Sequence, residues 1–238
     1  MNKEKIYNRR IKEIIGNERV LSILLIGASA RTEKVDFNSL RDIDLFVITD
    51  ENYGFEREVI DIEGMLFDIS YMSLDSFKKG IDDKIPFLIN SLQSYRLIYN
   101  IDINLEKLLN KLKSIYKEGP ISLEAEEINY IRFKLYQDYG DILSRKEDML
   151  NTIFLMNKLF YDILISYFKL NGYWIPKDKK LLNRIQNIDD ILYNLGTDFI
   201  KEEDLELKLR ELYNLLDYTL KPHGGVIKFW KRGKFPLF

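Results

Sequence analysis

Gly27-Ala28-Ser29-Ala30-Arg31, followed eleven residues later by Asp42-Ile43-Asp44, is the stretch that decides the fold. An apolar run at residues 20–26 leads into the first segment, and a second run at residues 45–48 leads out of the last. This order predicts a strand, a turn of small residues, a loop and a second strand. Alternation along a strand sends Asp42 and Asp44 to the same face, about 7 Å apart.

Two carboxylates placed side by side repel each other unless a cation or a proton lies between them. Oxygen ligands of this kind suit Mg²⁺, which keeps several waters and is shared with substrate phosphates. Two further aspartates lie in the β-type runs that follow. Asp68 is inside an apolar strand, and a hairpin would place Asp61 on the same sheet face. The sequence therefore predicts a magnesium site built on Asp42 and Asp44, with Asp68 favoured over Asp61 as the third carboxylate.

Composition excludes several classes of protein and of site. Lys and Arg number 36 against 38 Asp and Glu, a formal net charge of −2, so a long nucleic acid is not expected as a partner. The chain has no cysteine, which excludes disulfides and thiolate sites, and its single histidine, His223, excludes a His-based zinc site. The charged N-terminus lacks the apolar core of a signal peptide and no stretch reads as a membrane span, so a cytoplasmic protein is expected.

The first half of the chain mixes helical and strand patterns. Strands are predicted at residues 20–26, 43–49, 58–62, 65–71 and 96–99, and helices at residues 3–16, 74–80, 86–94 and 105–116. Glu63-Gly64 predicts a hairpin between the third and fourth strands. Gly119-Pro120 is the clearest punctuation in the chain, so we expect two domains, residues 1–119 and 120–238.

Beyond Pro120 the apolar residues recur at helical spacing. The first helix begins near Ser122, and its buried side is predicted from Ile128, Ile131, Leu135, Tyr139 and Ile142. Residues 150–171 are apolar almost all round, which predicts the central helix of a bundle. Further helices are predicted at residues 178–196 and 202–220, giving four or five antiparallel helices. Residues 222–238 match no element.

Gly27-Ala28-Ser29, Asp42-Ile43-Asp44 and Asp68 together resemble the nucleotidyltransferase superfamily of DNA polymerase β type. The family pattern is Gly-Gly/Ser-Ser, then Asp-x-Asp, then a third Asp on a later strand, and the match covers residues 20–72. The spacing of the third aspartate also supports Asp68. Ala28 departs from the pattern, because the family has Gly or Ser there. The helical half is similar only in architecture to the aminoglycoside and lincosamide nucleotidyltransferases of bacteria.

The resemblance implies an α+β fold. A nucleotidyltransferase domain with a small mixed sheet flanked by helices would be followed by a helical bundle that binds the substrate. It implies Mg²⁺-dependent transfer of a nucleoside monophosphate, most simply AMP from ATP, to a hydroxyl of a small molecule, with release of pyrophosphate. An aminoglycoside or lincosamide antibiotic is the implied acceptor class. Asp42, Asp44 and Asp68 would be the catalytic set that holds two Mg²⁺ ions, with Asp68 alternatively the general base.

Gly27, Ser29 and Arg31 are the predicted nucleotide-binding residues. Gly27 permits a positive φ and close backbone approach to phosphate oxygens, and Ser29 adds a hydroxyl donor. The planar guanidinium of Arg31 suits a terminal phosphate. In the helical half Lys134 is predicted to reach the nucleotide, and Arg132 and Lys179 are the other basic candidates.

Two other functions remain open. The acceptor is a protein hydroxyl in the first, as in bacterial toxin–antitoxin modifiers. In the second, the chain is a nucleotide-binding module without catalysis, a reading that Ala28 encourages and the intact carboxylate set opposes. Either a monomer or a homodimer fits the sequence.

Overall fold

The structure, a computed structural model of the chain, describes residues 3–17, 19–30, 37, 41–52 and 54–232. The chain divides into two compact units, Met1–Glu118 and Gly119–Phe238. The first contains a mixed sheet flanked by helices, and the second is helical. The predicted α+β fold class is therefore confirmed. Within the described ranges, none of the helices has the length and apolar character that crossing a bilayer requires.

Five strands form the sheet of the first unit, in the spatial order β3-β4-β2-β1-β5. Their bounds are β1 Val20–Ile26, β2 Asp42–Thr49, β3 Phe55–Ile62, β4 Met65–Ser73 and β5 Arg96–Asn100. β2 and β4 are parallel, whereas β1 pairs antiparallel with β2 and β5, and β3 pairs antiparallel with β4. The buried strands β1, β2 and β4 carry long apolar runs because both of their faces are largely covered.

The predicted hairpin between the third and fourth strands is confirmed. β3 and β4 pair from Phe55 opposite Met72 to Ile62 opposite Met65. The two turn residues, Glu63 and Gly64, have φ angles of 54° and 78°. Positive φ at both positions gives the twist that joins two antiparallel strands tightly, which is why glycine occupies the second.

The helices of the first unit cover the two faces of the sheet. They are α1 Lys3–Asn17, α2 Leu74–Asp82, α3 Pro86–Ser91 and α4 Leu105–Glu118. Apolar residues of α1, including Ile6 and Ile14, pack with Leu45 of β2 and Ile69 of β4 in one buried cluster. On the other face, Phe77 of α2 contacts Phe46 of β2 at a ring distance of 5.8 Å. Alternation along β2 thus separates the side chains that meet α1 from those that meet α2.

The helical unit consists of α5 Ala125–Leu143, α6 Met149–Leu170, α7 Leu181–Gln186, α8 Asp190–Lys201 and α9 Leu205–Leu220. Its core unites residues of α5 to α9, with Phe168, Ile185 and Leu212 wholly buried. The C-terminal half of α6 lies inside this core. Its N-terminal half keeps apolar side chains in solvent, Leu150 at 83% and Phe154 at 66% exposure. Met156 and Leu159 of the same half are nonetheless buried in the core, so α6 is central along one face rather than all round.

The prediction of one helix over residues 178–196 is wrong. A 3₁₀ turn at Asp178–Lys180 leads into α7, and a break at residues 187–189 separates α7 from α8. Asp189 causes the new start, because its carboxylate accepts a hydrogen bond from the backbone N–H of Leu192 at 2.9 Å.

The segment after α9, which matched no predicted element, lies against α5. A 3₁₀ turn at Lys221–His223 ends α9. Trp230 then contacts Phe133 of α5 at a ring distance of 5.4 Å, with Tyr130 beyond it at 6.2 Å. Residues 221–232 are therefore part of the helical unit.

Candidate active site

Two of the three predicted carboxylates lie directly opposite each other on adjacent strands. Asp44 of β2 is in register with Asp68 of β4, and Asp42 precedes Asp44 by two residues on the same face. All three side chains are half-buried, whereas the residues that follow Asp44 in β2 are buried. The carboxylates therefore lie where one face of a buried sheet becomes accessible to solvent.

Gly27 provides the space that the Asp44 carboxylate occupies. A Cβ atom added at Gly27 would lie 2.1 Å from Oδ2 of Asp44, far inside van der Waals contact. The φ angle of Gly27 is also +75°, a conformation that side chains disfavour. The glycine expected to approach a phosphate thus has a second role here, because the end of β1 and Asp44 can approach only without a side chain at this position.

Ser29, the next predicted nucleotide-binding residue, is 1% exposed. Its hydroxyl donates to the carbonyl oxygen of Ile26 at 3.1 Å, which closes the turn after β1. In this arrangement the Ser29 hydroxyl stabilises the turn, and the whole residue is buried. Arg31 lies outside the described residues.

Arg57 is a site residue that the sequence did not reveal. From the edge strand β3 it donates two hydrogen bonds to Asp68, Nε to Oδ1 at 2.7 Å and Nη2 to Oδ2 at 2.6 Å. These bonds, and then the negative charges of Asp68 and Asp44, raise the pKa of the Arg57 guanidinium above its ordinary value. The guanidinium consequently stays charged beside Asp68, which is in register with Asp44.

Register explains how Arg57 reaches Asp68. Arg57 is opposite Ser70, and Val59 is opposite Asp68, so the arginine is the diagonal neighbour of the aspartate on the same face. Diagonal neighbours on an antiparallel pair are within reach of a long side chain. The adjacent Glu58 faces the other way and pairs with Arg10 of α1 at 2.5 Å. The predicted hairpin register, extended by one residue pair, already places Arg57 diagonal to Asp68, but the predicted third strand begins at residue 58 and so leaves Arg57 out.

Asp61, the alternative to Asp68 as the third carboxylate, makes a different contact. Asp61 shares the face of Leu66, as the hairpin register requires, but its Oδ1 accepts a hydrogen bond from the backbone N–H of Gly64 at 2.8 Å. Asp61 therefore stabilises the hairpin turn, while Asp68 lies opposite Asp44. This difference makes Asp61 a matched control for the candidate site.

The carboxylates of Asp42, Asp44 and Asp68 are suitable ligands for a divalent cation, although their side chains are not arranged around a common point. Carboxylates on adjacent strands in register supply hard oxygen donors, and Gly27 leaves the room that Asp44 needs. Yet in the described part of the chain no group of three or more His, Cys, Asp or Glu side chains is arranged to hold a metal ion. Both oxygens of Asp68 instead bind Arg57. A third carboxylate ligand would become available only when that pair opens.

Lys134 belongs to a charged groove within the helical unit. It pairs with Asp138 one turn along α5, and Lys158 of α6 pairs with Asp162 at 2.5 Å. These lysines and Arg145 border a cavity of about 220 Å³ between α5 and α6. Each of the three cations has a carboxylate partner in the same unit. The groove therefore presents both charges rather than the uniformly positive surface that a triphosphate favours.

Arg132 has a structural role in the helical unit. Its Nε donates to the carbonyl of Gly225 and its Nη2 to that of Gly224, both at 2.6 Å. Nη1 donates to Oδ1 of Asn129 at 2.8 Å. These bonds hold the segment after α9 against α5. Lys179, the other basic candidate, is exposed on the 3₁₀ turn before α7.

Comparison with solved structures finds a nucleotidyltransferase-like protein from Exiguobacterium sibiricum 255-15. The two chains superpose with a TM-score of 0.51 at 12% sequence identity, over 92% of this chain and 74% of the other. At this identity the similarity establishes a common fold. No protein-family model matches the sequence, and no curated protein matches it. The chain thus has a nucleotidyltransferase-like fold.

Proposed function

We propose that the chain is a Mg²⁺-dependent nucleotidyltransferase that transfers a nucleoside monophosphate from a triphosphate, ATP in the first instance, to a hydroxyl group of a small molecule. One observation carries the proposal. Asp44 and Asp68 are opposite each other on parallel strands, with Asp42 on the same face and Gly27 packed against Asp44. That arrangement occurs in a nucleotidyltransferase-like fold.

The chain's own residues would bind and orient the reactants. Asp42 and Asp44 would hold the cation, and Asp68 would complete the set once Arg57 had released it. Backbone N–H groups of the turn at Gly27, together with Arg31, bind the phosphates. Bound Mg²⁺ would neutralise the triphosphate and stabilise the charge that develops at the α-phosphorus.

The proposed reaction is an in-line substitution at the α-phosphorus. The acceptor oxygen forms a bond to that phosphorus, and the bond between the phosphorus and the oxygen bridging to the β-phosphate breaks. Pyrophosphate leaves with the electron pair of the broken bond. The proton of the acceptor hydroxyl passes to a general base and then to solvent; Asp68 is the candidate base in the alternative in which it does not hold the cation. Positioning and charge stabilisation supply most of the acceleration in reactions of this type.

We assign this chemistry to the unit Met1–Glu118 and acceptor recognition to the helical unit. The second assignment is supported by the charged groove between α5 and α6, whose polar side chains are not part of the hydrophobic core. The groove at Lys134 contains Asp138 and Asp141, which pair with Lys134 and Arg145 and would have to exchange these partners for amines or hydroxyls of an acceptor. An aminoglycoside or lincosamide is the acceptor class that fits this proposal.

A nucleotide-binding module without catalysis is the second candidate, and a specific contact favours it. Arg57 occupies both oxygens of Asp68, so the third carboxylate is neutralised by the chain itself. If that pair never opened, the site would bind a triphosphate through the other residues without transfer.

The experiment that separates these functions is a label-transfer assay. The purified chain is incubated with Mg²⁺ and each nucleoside triphosphate, radiolabelled at either the α- or the γ-phosphorus, together with the small-molecule or the protein fraction of a cell lysate. The proposal predicts α-label, but not γ-label, in small molecules and stoichiometric release of pyrophosphate. Label in protein would assign the acceptor to a protein hydroxyl, and binding without label transfer would favour the non-catalytic module.

Matched variants tie the result to the site. Asp42→Asn combined with Asp44→Asn should reduce transfer at least about a hundredfold, because the cation loses two ligands. Asp61→Asn removes one carboxylate from the same sheet face and should leave transfer within about twofold. Equal transfer by the wild type and the double variant would refute the proposal.

A further inference from the structure

The Arg57–Asp68 pair joins an exposed edge strand to the candidate metal site. Arg57 is 58% exposed in its side chain, whereas Asp68 is 22% exposed. Arg57 donates one hydrogen bond to each carboxylate oxygen of Asp68, at 2.6 and 2.7 Å, so both oxygens are bound to the guanidinium. A bidentate pair of this kind is stronger and more directional than a single contact between exposed charges.

We propose that Arg57 is a displaceable counter-ion of the candidate metal site: it neutralises Asp68 while no divalent cation is bound, and it competes with that cation for the carboxylate. This inference rests on the proposed function, since it concerns the same carboxylates. It adds Arg57 as a positioning residue to the predicted carboxylates. It also sets a condition for metal binding by Asp68, namely that the Arg57–Asp68 pair must open.

Charge explains why a counter-ion is needed there. Asp44 and Asp68 are directly opposite each other on strands about 4.8 Å apart, so without a cation their charges repel. The Arg57 guanidinium donates to both oxygens of Asp68, the carboxylate in register with Asp44. It therefore supplies in the metal-free chain the positive charge that a divalent cation would supply when bound.

The position of Arg57 makes exchange feasible. β3 is the edge strand of the sheet, and most of its side chains are exposed. The guanidinium can rotate into solvent without leaving a cavity in the core. Arg10 shows the contrast: its side chain is 16% exposed between α1 and β3, where it pairs with Glu58. The Arg10–Glu58 pair already attaches β3 to α1 on the opposite face of the sheet, so the Arg57–Asp68 pair is not needed for that role.

Binding of Mn²⁺ to the full chain, without nucleotide, tests the inference. Mn²⁺ substitutes for Mg²⁺, and the free ion is counted by electron paramagnetic resonance. Arg57→Gln should tighten Mn²⁺ binding about threefold to tenfold, because the competing cation is gone. Arg57→Lys keeps the charge but loses the bidentate geometry, so its affinity should fall between those of the wild type and Arg57→Gln.

Arg9→Gln is the matched control. Arg9 is an exposed arginine of the same unit that pairs with Glu63 at 2.6 Å and with Glu13 at 3.8 Å, so the substitution removes one charge and two ion pairs away from the carboxylates. It should change Mn²⁺ affinity less than twofold. In an Asp68→Asn background Arg57 has lost its partner, so Arg57→Gln should no longer tighten binding by more than about twofold. A purely structural role for Arg57 would not produce this dependence on Asp68.

The outcomes distinguish this inference from the proposed function. If the wild type binds Mn²⁺ through Asp42 and Asp44 but Arg57→Gln binds no more tightly than Arg9→Gln, the counter-ion role is wrong and the transferase proposal is untouched. Tighter binding by Arg57→Gln without nucleotide transfer by any variant would support the counter-ion and refute the transferase. If no variant binds Mn²⁺ at millimolar concentration, the counter-ion role is overturned, and the transferase is judged by the label-transfer assay, because its cation is shared with the triphosphate.

Discussion

At the scale of single residues, Gly27 links the fold to the candidate chemistry. Its positive φ turns the chain at the end of β1, and its missing side chain admits the Asp44 carboxylate. The first property could be predicted from the sequence, because a glycine between an apolar run and small residues indicates a turn. The contact with Asp44 could not, since it depends on how closely β1 and β2 approach.

Gly27→Ala should lower both stability and metal affinity. A Cβ at positive φ destabilises by about 1–2 kcal/mol, and the overlap with Asp44 should add about 1–3 kcal/mol. Displacement of the carboxylate should weaken Mn²⁺ binding about tenfold or more. Urea unfolding and Mn²⁺ titration measure the two effects.

Gly64→Ala controls for backbone strain. Gly64 has φ +78°, close to the +75° of Gly27, but a Cβ there would meet no atom within 4 Å. Its substitution should therefore show the strain without the overlap and leave Mn²⁺ affinity unchanged. Equal losses in the two variants would show that contact between Gly27 and Asp44 is unimportant.

At the scale of secondary structure elements, Asp189 connects three helices of the helical unit. Its carboxylate caps α8, and it accepts hydrogen bonds from the hydroxyls of Tyr167 on α6 at 2.9 Å and Tyr218 on α9 at 3.1 Å. Burial, followed by the hydrogen bond to Asp189, raises the pKa of both tyrosines, so both remain neutral donors. The break between α7 and α8 therefore also fixes the packing of α8 on its neighbours.

Asp189→Ala should destabilise the helical unit by about 2–3 kcal/mol. Loss of an N-cap accounts for about 1 kcal/mol, and two tyrosine hydroxyls left without an acceptor account for the remainder. Asp204→Ala is the control, because Asp204 caps α9 through the N–H of Leu207 at 2.9 Å and is exposed. It should lose about 1 kcal/mol. Urea unfolding followed by circular dichroism measures both, and equal losses would contradict the connecting role of Asp189.

The elements also show what sequence patterns can and cannot predict. The hairpin at Glu63-Gly64 followed from local turn chemistry, and the strands from apolar runs, so both were predictable. The break before α8 was missed because Asp189 looked like one polar position in a helical pattern. An Asp directly before an apolar helical run is an N-cap signal that would have found it. Arg57 was missed for another reason, since the predicted third strand begins at residue 58 and the hairpin register was not extended to Arg57.

At the scale of the whole molecule, the fold of the first unit could be anticipated from the pattern at residues 20–48. The resemblance carried by the strand, the small-residue turn, the Asp-x-Asp strand and Asp68 implied an α+β fold, and the sheet and the fold neighbour agree with it. The identity of the acceptor does not follow, because recognition depends on the shape and charge of a surface built from side chains far apart in sequence. At the groove beside Lys134, each of the three cations pairs with a carboxylate of the same unit. A single basic residue in the sequence therefore does not predict a phosphate-binding surface.

The central claim is that Asp42, Asp44 and Asp68 hold a divalent cation on a nucleoside triphosphate. A crystal structure of the full chain with Mn²⁺ and a non-hydrolysable triphosphate, with the anomalous signal of manganese recorded, tests it most directly. The account predicts an anomalous peak about 2.2 Å from carboxylate oxygens of Asp42 and Asp44, with the phosphates at the Gly27 turn and Asp68 released from Arg57. A triphosphate bound elsewhere, or no manganese peak at these carboxylates, would contradict it.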